Sequence, residues 1–234
     1  MTRPRRTLAV IAARGGSKGI PKKNLLDFCG KPLLAWSIRQ ASKAKGVDMV
    51  AVSSDSEEIL EVAEQYGAVA VKRPTEIATD TASSESAWRN ALDAVDDQNA
   101  PFERIVSLQA TSPIRESADS EKALAQFDAE KLDSLLSVCE VEDFFTWRRG
   151  EDGWPQAINY DYRARSMRQA IERRYLENGS FYIFLPGILK EQNNRLGGRI
   201  GFFVMERHKM FQIDRMEEVE LCSVIMKGYG YAGQ

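Results

Sequence analysis

The residues best suited to chemistry lie in one short segment, which reads Arg14-Gly15-Gly16-Ser17-Lys18-Gly19-Ile20-Pro21-Lys22-Lys23-Asn24. Its glycines let the backbone adopt unusual dihedral angles and turn N–H groups toward an anion. Arg14, Lys18 and Lys23 add full positive charges. Cations held this close together repel one another unless an anion neutralises them. The segment therefore predicts a binding loop for a polyphosphate; the alternative is a basic loop that faces solvent.

Two common phosphate-binding motifs do not fit this segment. A Walker loop needs GxxxxGK followed by Ser or Thr, whereas Lys18 lies three residues after Gly15 and is followed by Gly19. The dinucleotide fingerprint GxGxxG is also absent, because the spacing is Gly-Gly-x-x-Gly. A P-loop kinase and a dinucleotide-dependent dehydrogenase are therefore both disfavoured.

Composition disfavours several other classes. The 234 residues carry 32 Lys and Arg against 34 Asp and Glu, a net charge of −2, which is not the positive field of a nucleic-acid or membrane-surface binder. The single histidine, His208, cannot form a His-rich zinc site, and the three cysteines are too widely spaced for a CxxC motif. We expect no nucleic-acid or membrane partner. Unpaired cysteines suit a reducing compartment, so we expect a cytoplasmic protein.

The elements that must position the loop alternate between strands and helices. An apolar run without alternation, residues 8–13, precedes the loop and predicts a strand buried on both faces. Further strands are predicted at residues 49–52, 69–71, 105–108, 134–138, 180–184 and 200–204, and helices at 33–44, 57–66, 83–94, 120–127 and 216–226. This order predicts an α/β fold with a mostly parallel twisted sheet and helices on both faces. The loop then lies at a carboxyl edge, where such sheets bind ligands.

The alternation stops at about residues 140–176, where the sequence is polar, aromatic and basic. We interpret this segment as an insertion into a single domain spanning residues 1–234. It contains Trp147, Trp154, Tyr160 and Tyr162, which would form a large apolar patch on a monomer. A subunit contact would cover such a patch, so we expect a homodimer formed through the insertion.

The motifs along the chain also resemble those of one family. Residues 13–25, with Gly30-Lys31-Pro32-Leu33 behind them, resemble the nucleotide-binding signature of the acylneuraminate cytidylyltransferases, the CMP-sialic acid synthetases. Further matches follow in the family's order at Val52-Ser53-Ser54-Asp55, Arg73-Pro74, Asp80-Thr81-Ala82-Ser83-Ser84, Leu108-Gln109-Ala110-Thr111-Ser112-Pro113-Ile114-Arg115, Glu177-Asn178-Gly179-Ser180-Phe181-Tyr182 and Ile213-Asp214. The resemblance therefore spans nearly the whole chain.

This resemblance implies a Rossmann-like nucleotidyltransferase fold and a reaction. The expected reaction transfers CMP from CTP to a sialic-acid-like nonulosonate of the N-acylneuraminate type, with Mg²⁺ and release of pyrophosphate, and makes a CMP-sugar for surface glycans. The anomeric hydroxyl of the sugar would attack the α-phosphorus directly, so the protein would supply positioning and charge rather than a nucleophile. The nucleotide-binding residues implied by the matching positions are Ala13, Arg14, Gly15, Ser17, Lys23, Asn24, Arg73, Ser83 and Ser84.

The resemblance assigns the sugar acid and the metal to other positions. Gln109 and Thr111 follow a predicted strand and can reach the sugar, with a simple turn as the alternative. Arg168 is expected to clamp the substrate carboxylate, with a surface arginine as the alternative, and Asn178 is expected to contact the substrate. Asp214 would hold Mg²⁺, and Arg14, Lys23 and Asp214 are expected to be the catalytic residues.

Departures from the family pattern leave several points open. Many members have Asp-Ile-Asp where this chain has Gln212-Ile213-Asp214, and some sialate-specific members place a lysine where this chain has Thr146-Trp147. Legionaminate, pseudaminate, Kdo or a phosphonate are therefore alternative acceptors, and a CTP-binding regulatory module without catalysis is an alternative of another class. Arg168 acts either in its own subunit or in its partner's. Arg115 either binds an anion or faces solvent, and we expect it to face solvent, as a long basic side chain at the beginning of a helix usually does.

Overall fold

The computed structural model describes residues 5–142 and 144–233, without the side chain of Arg168. Its strands are β1 (Thr7–Ala12), β2 (Asp27–Phe28), β3 (Lys31–Pro32), β4 (Met49–Ser54), β5 (Val69–Lys72), β6 (Arg104–Leu108), β7 (Ser134–Val141), β8 (Trp147–Arg149), β9 (Pro155–Ala157), β10 (Arg174–Phe184) and β11 (Ile200–Met205). Its α-helices are α1 (Leu33–Lys43), α2 (Glu57–Gln65), α3 (Ser84–Val95), α4 (Ser117–Ala129), α5 (Pro186–Gln192) and α6 (Met216–Gly228).

Seven strands form one sheet in the order β11-β7-β10-β6-β1-β4-β5. Only β10 runs antiparallel to its neighbours, β6 and β7. The remaining pairs, β1 with β4 and β6, β4 with β5, and β7 with β11, are parallel. This arrangement confirms the predicted α/β class and its mostly parallel sheet.

The apolar run before the basic loop forms β1, an interior strand of the sheet that is buried on both faces. Ala9 and Ile11 pack in a cluster with residues of α1, α2 and α4, whereas Leu8 and Val10 pack with residues of α3 and α5 on the opposite face. Helix α6 buries Cys222 in a third cluster at the edge of the loop region. Helices cover both faces of the sheet, as a parallel sheet requires.

The direction of the chain reverses across β1. From β1 the chain proceeds through α1 to β4 on one side, and it later returns to β6 on the other side. The loops after β1 and β6 therefore leave the sheet at adjacent carboxyl ends, where Ile11 pairs with Leu108. Ligands bind at such a topological switch point in open α/β sheets.

Two strands extend well beyond their predicted bounds at the inserted segment, and several short elements were not predicted. β7 continues to Val141 and β10 begins at Arg174, so both extend into the polar segment. Between them lie the hairpin β8–β9 and two 3₁₀ turns. The hairpin β2–β3 and helix α5 were also not predicted. Within the described residues, no helix is both long enough and apolar enough to cross a membrane.

Candidate active site

An open cleft of about 400 Å³ lies at the carboxyl ends of β1 and β6. Three stretches of chain meet in it: the basic loop, the segment after β6, and the segment before α6. Its walls contain eight of the predicted site residues, Arg14, Ser17, Lys23, Asn24, Ser84, Gln109, Thr111 and Asp214. The structure therefore brings together residues that are far apart in the sequence, in the place where the fold is expected to bind a ligand.

Buried hydrogen bonds fix the shape of the basic loop. The side-chain amide of Asn24, only 6% exposed, donates to the carbonyl of Arg14 at 3.0 Å. The Gly15 N–H donates to the Asp55 carboxylate at 3.0 Å. Asp55 therefore holds the loop rather than capping helix α2, where Ser56 occupies the N-cap position without a side-chain bond. The loop is anchored at both ends before any ligand arrives.

Each cation of the loop that lines the cleft faces a carboxylate. Arg14 donates to one oxygen of Asp80 at 2.7 Å, and the Lys18 ammonium lies 2.6 Å from the other oxygen. The hydrogen bond from Lys18, followed by that from Arg14, lowers the pKa of Asp80 below its ordinary value. Lys23 pairs with Asp214 at 2.7 Å. These carboxylates neutralise the positive charges that the sequence predicted would need an anion.

Close backbone packing brings the C-terminal segment against the loop. A Cβ added to Gly19 would lie 2.4 Å from the carbonyl oxygen of Asp214, so only glycine allows this approach. On the other side, the Ile213 N–H donates to the carbonyl of Thr111 at 2.8 Å. Asp214 is thereby held between the basic loop and the segment after β6.

Several predicted nucleotide-binding residues lie beside the cleft instead of in its wall. Ala13 is buried, and its N–H donates to the carbonyl of Ser53. Ser83 caps helix α3 by accepting from the Ser86 N–H at 3.2 Å. Arg73 is 6% exposed and donates to the Ser53 hydroxyl, and burial, opposed by the nearby Asp55 charge, lowers its pKa. Gly15 contacts Asp55 as described, and the predicted Arg168 side chain lies outside the described part of the chain.

Asn178 departs from the substrate contact predicted for it. Its side chain is 2% exposed, and its carbonyl oxygen accepts from the Ser137 hydroxyl at 2.6 Å and from the Ser180 N–H at 3.1 Å. Its amide nitrogen donates to the carbonyl of Lys209 at 3.4 Å. The side chain therefore supports the cleft from behind. The Gln212 side-chain amide donates to the main-chain carbonyl of Asn178 at 2.5 Å. An ionised carboxylate at position 212 could not make this bond, because it has no hydrogen to donate.

A buried charge cluster holds the segment that leads to Asp214. The Lys209 ammonium, with no exposed surface, lies within 3.0 Å of Glu116, Asp119 and Glu206. Burial opposes the charge of Lys209, but the hydrogen bonds that Lys209 donates to Asp119 and Glu206 outweigh this effect and raise the pKa of Lys209. The cluster joins the start of α4 to the segment after β11.

Three residues were missed or misjudged from the sequence. Trp88 lines the cleft beside Ser84, and its position one helical turn later in α3 was the available signal. Asp80 lies in one of the sequence motifs, but its pairing with Arg14 and Lys18 was not predicted. Arg115 was expected to face solvent, which is wrong, because the side chain is only 1% exposed.

The residues present fit one mode of magnesium binding. Among the described residues, no group of three or more His, Cys, Asp or Glu side chains forms a metal cage. Asp214 instead presents a side chain that is 65% exposed in the cleft wall. Mg²⁺ is commonly held by one or two carboxylates together with substrate phosphates and water. A single exposed carboxylate beside the basic loop suits that mode.

Comparisons with known proteins point in one direction. The chain matches the family model described as cytidylyltransferase over residues 8–222. It is 33% identical over 226 residues to the pseudaminic acid cytidylyltransferase of Campylobacter jejuni subsp. jejuni serotype O:23/36 (strain 81-176), covering 95% of this chain and 97% of the relative. It is 33% identical over 232 residues to N-acylneuraminate cytidylyltransferase A of Danio rerio, covering 97% of this chain and 52% of the relative.

A solved structure also has this fold. CMP:2-keto-3-deoxy-manno-octonic acid synthetase complexed with CTP matches with a TM-score of 0.72 at 17% identity, covering 96% of this chain and 99% of that chain. At that identity the likeness establishes the architecture and leaves the substrate to other arguments.

Proposed function

The chain belongs to the cytidylyltransferase family, a class of nucleotidyltransferases, and we propose that it transfers CMP from CTP to a sialic-acid-like nonulosonate. The oxygen of the sugar's anomeric hydroxyl would bond to the α-phosphorus of CTP. The bond from that phosphorus to the oxygen bridging the β-phosphate would break, the hydroxyl proton would be lost, and pyrophosphate would leave. The product would be a CMP-sugar for surface glycan synthesis.

The observation that carries this proposal is the set of cations on the loop after β1. Arg14, Lys18 and Lys23 line one cleft with Ser17, and their present partners are carboxylates. A triphosphate offers anionic oxygen atoms that can accept from these cations in place of the carboxylates. Positive groups fixed in place before the reaction stabilise charge that develops on the leaving pyrophosphate without further reorganisation.

We propose that Asp214 holds Mg²⁺ in this reaction. When bound, the ion would neutralise phosphate charge and so favour departure of pyrophosphate. The protein's own contribution is to keep the Asp214 carboxylate in place, through the packing of Gly19 on its backbone and the Ile213 bond to Thr111. In the nucleotide-free chain this carboxylate also orients Lys23.

The type of acceptor rests on the relatives that cover nearly all of this chain. Their names give pseudaminic acid and N-acylneuraminate as substrates, and both are nine-carbon sugar acids. Gln109 and Thr111 lie in the cleft wall beyond the phosphate loop and offer neutral hydrogen-bonding groups to the hydroxyl and carboxylate groups of such an acid. A nonulosonate is therefore the acceptor class that we propose.

Release of pyrophosphate tests the reaction. Purified protein with Mg²⁺ is assayed with each of the four ribonucleoside triphosphates against N-acetylneuraminate, pseudaminate, legionaminate, KDN and Kdo. Release with CTP and a nonulosonate is the expected result. Turnover with Kdo alone would show that Kdo, rather than a nonulosonate, is the acceptor. CTP binding without turnover of any acid would favour a regulatory module.

A matched pair of variants ties that activity to the cleft. Lys23→Gln removes a charge from the cleft and is expected to lower kcat/KM by about 100-fold or more, as loss of a transition-state charge contact does. Lys22→Gln is the control, because Lys22 pairs with Glu58 outside the cleft wall. Equal activity in the two variants would contradict the assigned role of Lys23.

We further propose that the chain works as a homodimer in the cytoplasm. The segment between β7 and β10 exposes Trp147, Trp154, Ile158 and Met167, the last of them 80% exposed. Such a patch is large for a monomer and suits a subunit contact. The three cysteines are unpaired, which is typical of a reducing compartment.

A further inference from the structure

Arg115 is a charged side chain buried in an unusual setting. It is 1% exposed, and its guanidinium donates to the Ser180 carbonyl at 2.7 Å, to the Ser180 hydroxyl at 3.1 Å and to the Ser37 hydroxyl at 2.8 Å. These hydrogen-bond partners are neutral, and the nearby charge of Asp119 opposes but does not outweigh the effect of burying the cation. Burial lowers the pKa of Arg115 to about 10. An arginine held at this cost needs a role that a smaller apolar residue would not fill.

Two of the three groups that accept from Arg115 also hold the backbone of Gln109. The Ser37 hydroxyl donates to the Gln109 carbonyl at 3.2 Å. The Ser180 carbonyl accepts from the Gln109 N–H at 3.1 Å. Arg115 therefore reaches, through one intermediate group on each side, the two backbone polar groups of a single residue.

The remainder of the segment after β6 is fixed in a similar way. The Gln40 side-chain amide donates to the Pro113 carbonyl at 2.8 Å and to the Arg115 carbonyl at 2.6 Å. The segment after β6 is thus tied to α1 at its far end, and the Arg115 side chain returns to the beginning of the same segment. Little freedom is left for the backbone of Gln109.

Gln109 is the residue of this segment that faces the cleft with an amide. Its side-chain oxygen accepts from the Thr111 hydroxyl at 3.2 Å, which fixes the orientation of the amide. The amide nitrogen lies near Gly179, 3.7 Å from where a Cβ of that glycine would stand. With the oxygen engaged, the nitrogen is the group left to donate to an acceptor on a ligand, such as a hydroxyl or carboxylate oxygen.

We propose that Arg115 is a positioning residue for the sugar acid, which fixes Gln109 through Ser37 and Ser180 so that its amide meets the acceptor substrate. This inference rests on the proposed function. The proposed role of Arg115 concerns the sugar acid and not CTP, because the loop that would bind the triphosphate lies on another segment and makes none of these contacts. Loss of Arg115 should therefore weaken use of the sugar acid and leave use of CTP nearly unchanged.

The test compares Michaelis constants for the two substrates. Arg115→Met keeps most of the side-chain volume and removes the donors. It is expected to raise KM for the sugar acid about tenfold while KM for CTP stays within about twofold, since the perturbed contacts belong to one substrate. Arg115→Lys, which keeps the charge and can serve one partner, is expected to recover part of the loss.

A buried arginine at the start of β6, the end of that strand away from Gln109, is the control. Arg104 is 6% exposed and bonds Asp128 and the Arg5 carbonyl, away from the cleft. Arg104→Met is expected to lower the melting temperature without separating the two KM values. If Arg115→Met also lowered only the melting temperature, or raised both KM values equally, the positioning role would be wrong.

Ser37→Ala provides a second route should Arg115→Met not fold. It removes the hydroxyl that links Arg115 to the Gln109 carbonyl and should raise KM for the sugar acid alone, by about three- to tenfold for one lost hydrogen bond. An unchanged KM in Ser37→Ala would overturn the proposal. Failure of the wild-type protein to turn over any sugar acid would instead overturn the proposed function, and the inference with it.

Discussion

The Asp80 carboxylate bridges Arg14 and Lys18, with one oxygen to each cation. A triphosphate that binds these cations must displace it, and the cost of displacement reduces the apparent affinity for the nucleotide. Asp80→Asn keeps the shape of the side chain and removes the competing charge. We expect it to tighten CTP binding by about three- to tenfold, the size of an exposed charge interaction.

Calorimetric titration of CTP without sugar acid measures this effect. Glu58→Gln is the control, because Glu58 pairs with Lys22 and lies outside the cleft wall. The affinity of this variant for CTP should equal that of the wild type. Weaker binding by Asp80→Asn would mean that Asp80 assists the nucleotide rather than competing with it.

Single residues also show where prediction from the sequence stops. Arg14, Lys23 and Gln109 could be placed in one site because each follows a predicted strand at its carboxyl end, whereas Asp214 was placed there by the family resemblance. The burial of Arg115 could not be predicted, because its partners come from α1 and β10, which are far away in the sequence. Local sequence indicates what a side chain can donate, and tertiary packing decides to which groups it does so.

At the scale of elements, the basic loop depends on the close approach of Gly19 to the backbone of Asp214. Gly19→Ala would place a Cβ 2.4 Å from the Asp214 carbonyl, whereas Gly16→Ala would meet no atom within 4 Å. We expect Gly19→Ala to lower the free energy of unfolding by about 1–3 kcal/mol, as overpacking does. It should also reduce activity, because Asp214 has to move.

Urea unfolding and pyrophosphate release measure the two effects. Gly16→Ala should unfold like the wild type and thus controls for the general effect of replacing a loop glycine. Wild-type stability in Gly19→Ala would show that the loop and the C-terminal segment can separate without cost.

The Lys209 cluster stabilises the contact between the start of α4 and the segment after β11, and this stabilisation depends on pH. The hydrogen bond from Lys209 lowers the pKa of Glu206 below its ordinary value of 4.5. A carboxyl whose folded-state pKa is depressed contributes stability above its unfolded-state pKa, and that contribution is lost as the pH falls through the folded-state pKa. Glu206→Gln should therefore lower the urea midpoint at about pH 7, and the deficit should shrink toward about pH 3.

Glu217→Gln is the matched control, because its partner Arg215 is 3.8 Å away and both side chains are 76% exposed. Such surface pairs contribute little to stability, so its midpoint should follow the wild type at every pH. A deficit in Glu206→Gln that did not change with pH would assign the effect to packing instead of charge.

The elements themselves were largely predictable, with instructive exceptions. Strands such as β1 were found because apolar runs without alternation are typical of buried parallel strands. The beginning of β10 at Arg174 was missed, since a strand with polar side chains is held by backbone hydrogen bonds that leave no hydrophobic pattern. The β2–β3 hairpin is too short for any periodicity to reveal.

For the whole molecule, the exposed apolar residues between β7 and β10 predict the oligomeric state. We expect a dimer by light scattering coupled to size-exclusion chromatography. Trp154→Ser should shift the population toward monomer, because this ring is 73% exposed in the segment that we expect to form the contact. Val224→Ser is the control, since Val224 is 62% exposed on α6, outside that segment. A monomeric wild-type protein would contradict the prediction.

The ion pair between Lys23 and Asp214 joins positions 191 residues apart. A ribosome makes Lys23 191 residues before it makes Asp214, so a growing chain carries the basic loop without this partner while the residues between them are synthesised. During that interval Lys23 lacks its present counter-ion. Synthesis of Asp214, rather than folding of the first strands, therefore marks the moment at which this ion pair can form.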